Sequence, residues 1–136
     1  MLQCVQSLRK EGKVTNSVRT VPKPWGSETI WAETDHYVGK VIKIDAGKRL
    51  SLQLHEEKDE AILVTKGRLR LHTGPDADNV TSRVLEPGES AHIPPGLVHR
   101  FEALDEDTAL VEVSTPQLMD VIRLQDASGR EGTNEP

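Results

Sequence analysis

Two short stretches of this chain hold four side chains of the kind that grip a divalent metal ion. Gln53-Leu54-His55 sets an amide and an imidazole two residues apart, Glu60 follows a short acidic loop, and His99 comes just after Pro94-Pro95-Gly96-Leu97-Val98. Side chains alternate faces along a strand, so Gln53 and His55 project from the same side. The loop Glu56 to Asp59 turns the chain, which lets Glu60 return beside them, and the rigid Pro-Pro-Gly turn can aim His99 into the same space. Oxygen plus imidazole donors suit zinc, manganese, iron, cobalt or nickel. With Glu60 as the only charged donor, a divalent ion would keep about one net positive charge and open positions for water or substrate, which makes a Lewis-acid site.

Further candidates surround that set. Arg49 and Ser51 share strand parity with Gln53 and His55, so an unbroken strand turns all four into one cavity. Arg49 would then grip a phosphate or carboxylate with both arms of its guanidinium; the equal alternative is a rim residue paired with the acidic loop. Glu112, inside the apolar run Ala109-Leu110-Val111-Glu112-Val113, faces either solvent by alternation or the site as a general acid or base. His36, His72 and His92 read as ordinary surface or wall histidines, and Glu56, Glu57, Lys58 and Asp59 as a solvated loop.

Positioning such a set takes short strands and tight turns. Runs of β-type residues occupy 37–44, 50–55, 61–65, 68–72, 81–85, 90–93 and 109–114, and Asp45-Ala46-Gly47, Lys66-Gly67, Gly74-Pro75-Asp76, Glu86-Pro87-Gly88 and Pro94-Pro95-Gly96 fall between them. Runs of this length and spacing predict an antiparallel sandwich or barrel. The first 20 residues and the polar tail read as poorly ordered arms around a barrel spanning 21–130, with 131–136 as the flexible end.

Composition limits the partners. A chain of 136 residues with 35% hydrophobic content supports one modest core. The net charge of -5 repels a phosphate backbone, and the four aromatic residues are too scattered for a base-stacking platform, so nucleic acid is not expected. No apolar run approaches the length of a membrane span, and the single cysteine, Cys4, cannot form a disulfide within the chain. Together these point to the cytoplasm and to no membrane partner.

The two stretches resemble the paired motifs of the cupin superfamily. Gly47, Gln53, His55, Glu60 and Gly67 match the first, and Gly88, Pro94, Gly96 and His99 the second. Gln53 stands where the superfamily has a histidine, and Ala103 where it has an asparagine. A longer resemblance, to the isomerase domain of type II mannose-6-phosphate isomerases, runs through Lys23-Pro24-Trp25-Gly26-Ser27, Arg49 to His55, Ile93 to Arg100 and Asp126 to Arg130. Departures are Glu56-Glu57 in place of a histidine-rich stretch and Ser128 in place of a tyrosine.

The resemblance implies an all-β, single-domain jelly-roll barrel with one metal held by Gln53, His55, Glu60 and His99. It also implies catalytic roles for Glu112, Arg49 and Lys40, and substrate contacts by Ser51 and Arg130. For Lys40 the alternative is a solvated strand face, and for Arg130 a frayed tail. The activity it implies is aldose-ketose isomerisation of a phosphorylated sugar, with zinc or manganese foremost. Another metal-dependent cupin enzyme, such as an oxygenase or epimerase, or a non-catalytic carbohydrate-binding cupin, is the alternative. Small cupins pair through their sheets, so a homodimer is expected.

Overall fold

The computed structural model describes residues 16–132; the expected arm through residue 15, Cys4 and the tail from 133 lie outside the described residues. Among the described residues eleven strands follow one another: β1 Arg19–Lys23, β2 Gly26–Glu33, β3 Val38–Ile44, β4 Leu52–Leu54, β5 Glu60–Lys66, β6 Leu69–Gly74, β7 Thr81–Leu85, β8 Ser90–Ile93, β9 Val98–Ala103, β10 Thr108–Ser114 and β11 Ile122–Gln125. They form two antiparallel sheets, ordered β1-β2-β3-β10-β5-β8 and β11-β4-β9-β6-β7. This is the expected jelly roll, and among the described residues there is no helix.

Each of the seven expected runs overlaps a strand, and β1, β2, β9 and β11 are additions. β1 begins at Arg19, inside the stretch expected as an arm, and carries Pro22 at a sheet edge, where no ladder partner needs its missing N–H. β2 has a register shift between Ile30 and Ala32 against β3, which hides its alternation. At the β1–β2 turn, Gly26 has φ +152°, and a Cβ there would lie 2.0 Å from the Lys43 carbonyl oxygen. No other residue fits that approach.

The expected strand over 50–55 is cut to Leu52–Leu54. Leu50, Ser51 and Leu52 are all buried in succession, so the two-residue alternation fails before β4 begins. Backbone bonds from Leu50 N–H to the Phe101 carbonyl and from Ala103 N–H to the Lys48 carbonyl lay this irregular stretch along β9.

Between the sheets the inward positions change character partway along the strands. On β3 they read Lys40, Ile42, Ile44; on β5 Glu60, Ile62, Val64; on β9 His99, Phe101, Ala103; and on β10 Leu110, then Glu112. Register aligns the change on β3 with that on β10, because Glu112 pairs with Lys40 and Leu110 with Ile42, while on β5 it falls one inward position further along, where Glu60 pairs with Ser114 and Ile62 with Glu112. The apolar end, closed by Trp25, Leu69, Leu71 and Leu85, forms one contiguous core. The other end of the same strands is lined by charge.

Candidate metal centre

The charged end assembles around Glu60, the first residue of β5. His99, second in β9, pairs across the ladder with Gln53 of β4, and His55 follows directly after β4. Glu60 Oε1 lies 3.2 Å from His99 Nε2 and 3.7 Å from His55 Nε2. All three residues are buried, and one ligand atom from each falls within 4.8 Å of the others.

Hydrogen bonds at the far side of each ring set the chemistry. His55 Nδ1 meets the Asp120 carbonyl oxygen, and His99 Nδ1 lies 2.9 Å from the Leu97 carbonyl oxygen. A carbonyl oxygen only accepts, so in a neutral ring each Nδ1 carries the proton and each Nε2 presents a lone pair. His55 Nε2, His99 Nε2 and Glu60 Oε1 have no hydrogen-bond partner. Three electron-rich atoms at this spacing repel unless a cation stands among them, and donors about 2.1 Å from a shared ion would be about 3.0–3.4 Å apart. A His-Glu-His set with backbone-anchored rings fits a divalent metal ion. Gln53, the fourth expected donor, lines the adjoining cavity with its Oε1 accepting from Ser51 Oγ at 2.6 Å, which leaves that oxygen a second lone pair.

Behind the ligands runs a line of alternating charge. Lys58 Nζ is 2.9 Å from Glu60 Oε2 and 3.4 Å from Glu112 Oε2. Lys40 Nζ is 3.8 Å from the same Glu112 oxygen and 3.3 Å from Glu28 Oε2. Burial alone would raise the Glu60 carboxyl, but an N–H that His55 or His99 turns to it when no ion is present, and the Lys58 ammonium beside it, hold it well below the usual carboxylate range. For Lys58, burial opposes the charged form, and the Glu112 and Glu60 carboxylates outweigh it and hold the ammonium above its ordinary value. Glu112 is pushed up to about 8 by burial and then by the Glu60 charge, against the pull of Lys58 and Lys40. One carboxylate on each side of an ammonium thus titrates in the opposite sense from the other.

The expected candidates divide. Ser51, Gln53, His55, Lys40 and Arg130 all line the cavity beside the centre. Lys40 is buried and ion-paired, which replaces the solvated reading, and Arg130 is no frayed end: its Nε and backbone N–H both donate to Asp126 Oδ2 at 2.8 Å. Glu112 faces inward, but it stands behind Lys40 and Lys58 and does not line the cavity. Arg49 is a correction. The strand is broken before β4, so parity does not carry over, and Arg49 is exposed, pairing its backbone with Glu102 in an isolated β-bridge near Ala127 and Ser128.

Lys58 is a second correction, since a solvated loop was expected. The Asp120 carboxylate accepts the backbone N–H groups of Glu56, Glu57 and Lys58 at 3.0, 2.7 and 2.9 Å, and this clasp turns Lys58 inward. Lys23, Glu28 and Arg123 also line the cavity, and none was expected there. Arg123 pairs with Gln53 in the ladder, so Arg123, Gln53 and His99 form one row across three strands. Buried Arg123 follows exposed Ile122 on β11, which inverts the usual reading of alternation. The Lys23 ammonium is lowered first by burial and then by Lys40, Arg123 and Arg130, against the Glu28 carboxylate. That wall concentrates positive charge.

Known proteins resemble this chain in sequence and in fold. The family described as mannose-6-phosphate isomerase C-terminal matches residues 10–126. A mannose-1-phosphate guanylyltransferase of Escherichia coli K12 is 29% identical over 131 residues, covering 93% of this chain and 26% of that protein. The alginate biosynthesis protein AlgA of Pseudomonas aeruginosa is 30% identical over 137 residues, covering 97% and 27%. The chain therefore spans about a quarter of the length of these relatives. Among solved structures, KdgF from Halomonas sp. has a TM-score of 0.63 at 22% identity, covering 75% of this chain and 89% of that one. Oxalate decarboxylase from Bacillus subtilis has a TM-score of 0.70 at 16% identity, covering 83% and 33%. These structural neighbours are cupins, and at such identity they speak for the fold.

Proposed function

This chain belongs to the mannose-6-phosphate isomerase C-terminal family, and we propose that it is a metal-dependent sugar-phosphate isomerase interconverting an aldose and a ketose, with mannose 6-phosphate as substrate. The observation that carries the reading is the convergence of His55 Nε2, His99 Nε2 and Glu60 Oε1 without hydrogen-bond partners beside a cationic cavity. Gln53 completes the ligand set, and zinc or manganese is the ion, with iron, cobalt and nickel compatible with the same donors. When bound, the ion supplies Lewis acidity toward the sugar's carbonyl oxygen.

The chain's own residues divide the remaining work. Lys23, Arg123 and Arg130 on the cavity wall hold the phosphate by charge-assisted hydrogen bonds. Ser51 Oγ orients the Gln53 amide oxygen. Glu28 is the carboxylate on the wall, positioned by Lys40 Nζ at 3.3 Å, and it takes the proton that moves between neighbouring carbons. Glu112 acts from behind, fixing Lys40 and Lys58 from a single oxygen. Arg49, outside the cavity, has no part in this scheme.

The same reading takes the protein as a cytoplasmic homodimer. Trp31, Leu63 and Val113 alternate with buried neighbours on β2, β5 and β10, so they project from the outer face of the six-stranded sheet, and Tyr37 beside β3 is exposed as well. Light scattering at micromolar concentration should return twice the chain mass; a monomer mass removes the dimer.

Turnover decides the main proposal. The metal-loaded protein is incubated with mannose 6-phosphate, and any fructose 6-phosphate is read through a coupled assay. Product is expected with zinc or manganese. No turnover with five different divalent metals and a panel of aldose phosphates would overturn it.

A further inference from the structure

Glu60 has two carboxylate oxygens, and the structure gives them different neighbours. Oε1 faces His99 Nε2 at 3.2 Å and His55 Nε2 at 3.7 Å, whereas Oε2 lies 2.9 Å from Lys58 Nζ. That ammonium is not a wandering surface group. Glu112 Oε2 holds it at 3.4 Å, the Asp120 carboxylate holds the Lys58 backbone N–H at 2.9 Å, and the residue is 5% exposed. Lys58 is therefore fixed at its head and at its backbone, in contact with one oxygen of the only acidic side chain among the expected ligands.

Carboxylates bind metal ions through one oxygen or both, and the choice sets how many positions remain for other ligands. We propose that Lys58 makes Glu60 a one-oxygen ligand: by holding Oε2 it stops the carboxylate from closing on the ion with both oxygens. A coordination position stays available for an exchangeable oxygen of water or of a sugar hydroxyl or carbonyl. Lys58 lines the cavity beside His55 and Gln53, so the position it reserves is on the side from which a ligand arrives. A catalytic centre needs such an open position, and a closed structural centre does not. Lys58 is in this sense a positioning residue, acting through Glu60. The inference rests on the reading of His55, Glu60 and His99 as a metal centre.

Manganese alone is the probe. The full chain is titrated with Mn(II), free ion is counted by electron paramagnetic resonance, and water-proton relaxation reports the exchangeable water on the bound ion. Lys58→Met is compared with Lys58→Arg and with the double variant Lys58→Met/Glu112→Gln, which removes the ammonium together with the Glu112 carboxyl that holds it, so that Glu60, the residue facing the ion, is the carboxylate that loses its Lys58 partner. We expect Lys58→Met and the double variant to bind Mn(II) at least as tightly as the parent with about one exchangeable water fewer, and Lys58→Arg to keep the parent's relaxation. If the single variant fails to fold, the double variant decides. Bound Mn(II) with the parent's relaxation in the double variant overturns the role of Lys58 while leaving the metal centre standing. A parent that binds no Mn(II) or other divalent ion overturns the metal centre itself, and this inference with it.

Discussion

The two ends of the barrel interior are built from the same strands and differ in what they must hold apart. At one end Ile44, Val64, Leu69, Ala103 and Leu110 meet side chain to side chain, and close packing alone stabilises them. At the other, Lys40, Glu60 and Glu112 occupy the next inward positions and Lys58 enters from the loop before β5, all with ionisable groups buried. Desolvating such ions costs several kcal/mol each, and pairing offsets that only where the geometry is good. The apolar end can therefore supply net stability, while the charged end spends it to keep a particular set of atoms facing one another. Stability and chemistry are separated along each strand by a step of two residues.

Substitutions should respond in kind. Leu110 is fully buried in the core, and Leu110→Ala should cost about 2–5 kcal/mol by urea unfolding while leaving metal affinity unchanged. A matching loss of metal affinity would mean that the two ends are not independent. His55→Ala should do the reverse, weakening metal binding by at least about 100-fold in calorimetric titration with a smaller change in the metal-free unfolding midpoint.

Asp120 links loop and ligand, because its carboxylate clasps residues 56–58 and its carbonyl orients His55. Asp120→Ala should cost about 1–2 kcal/mol and loosen metal binding about tenfold. Burial alone would raise this carboxyl, but the N–H groups of Glu57, Lys58 and Glu56 hold it below 3.8. Its contribution is therefore present above that pH and lost as pH falls through the lower folded value. The variant should lack that acid-side loss; if both proteins lose stability alike below pH 4, the clasp is not the cause.

The last effect is read as a pH dependence and concerns Glu112, whose carboxyl is raised from 4.5 to about 8. A raised acid favours the folded state below the unfolded value, so its contribution fades as pH climbs from about 4.5 to about 8. Urea midpoints of the metal-free protein should decline across that window, and Glu112→Gln should flatten the decline. An unchanged slope would remove Glu112 as its source.

Much of the centre was legible in the chain. Gln53 and His55 sit two apart, Glu60 opens the next strand after a short loop, and His99 follows a Pro-Pro-Gly turn. These are local relations, set by strand parity and turn chemistry, and tertiary packing had only to respect them. Lys58 and Arg123 were illegible for a different reason. Lys58 lies in a charged loop and points inward because Asp120, 62 residues further on, clasps its backbone. Arg123 reads as the solvent side of Ile122-Arg123-Leu124, yet the barrel's charged end reverses which side is wet. Arg49 failed in the opposite direction, since parity was extended across a stretch where three successive residues are buried.

The sequence by itself determined most of the strand-and-turn plan and singled out His55, Glu60 and His99, because these follow from rotations over a few residues of backbone. Only the tertiary structure decided that Lys58 takes one oxygen of Glu60, that Glu112 stands behind two lysines, and that Arg123 closes the row with Gln53 and His99. Those pairings depend on register between strands far apart in the chain. Register is set by burial of the whole apolar end at once, which no single segment encodes.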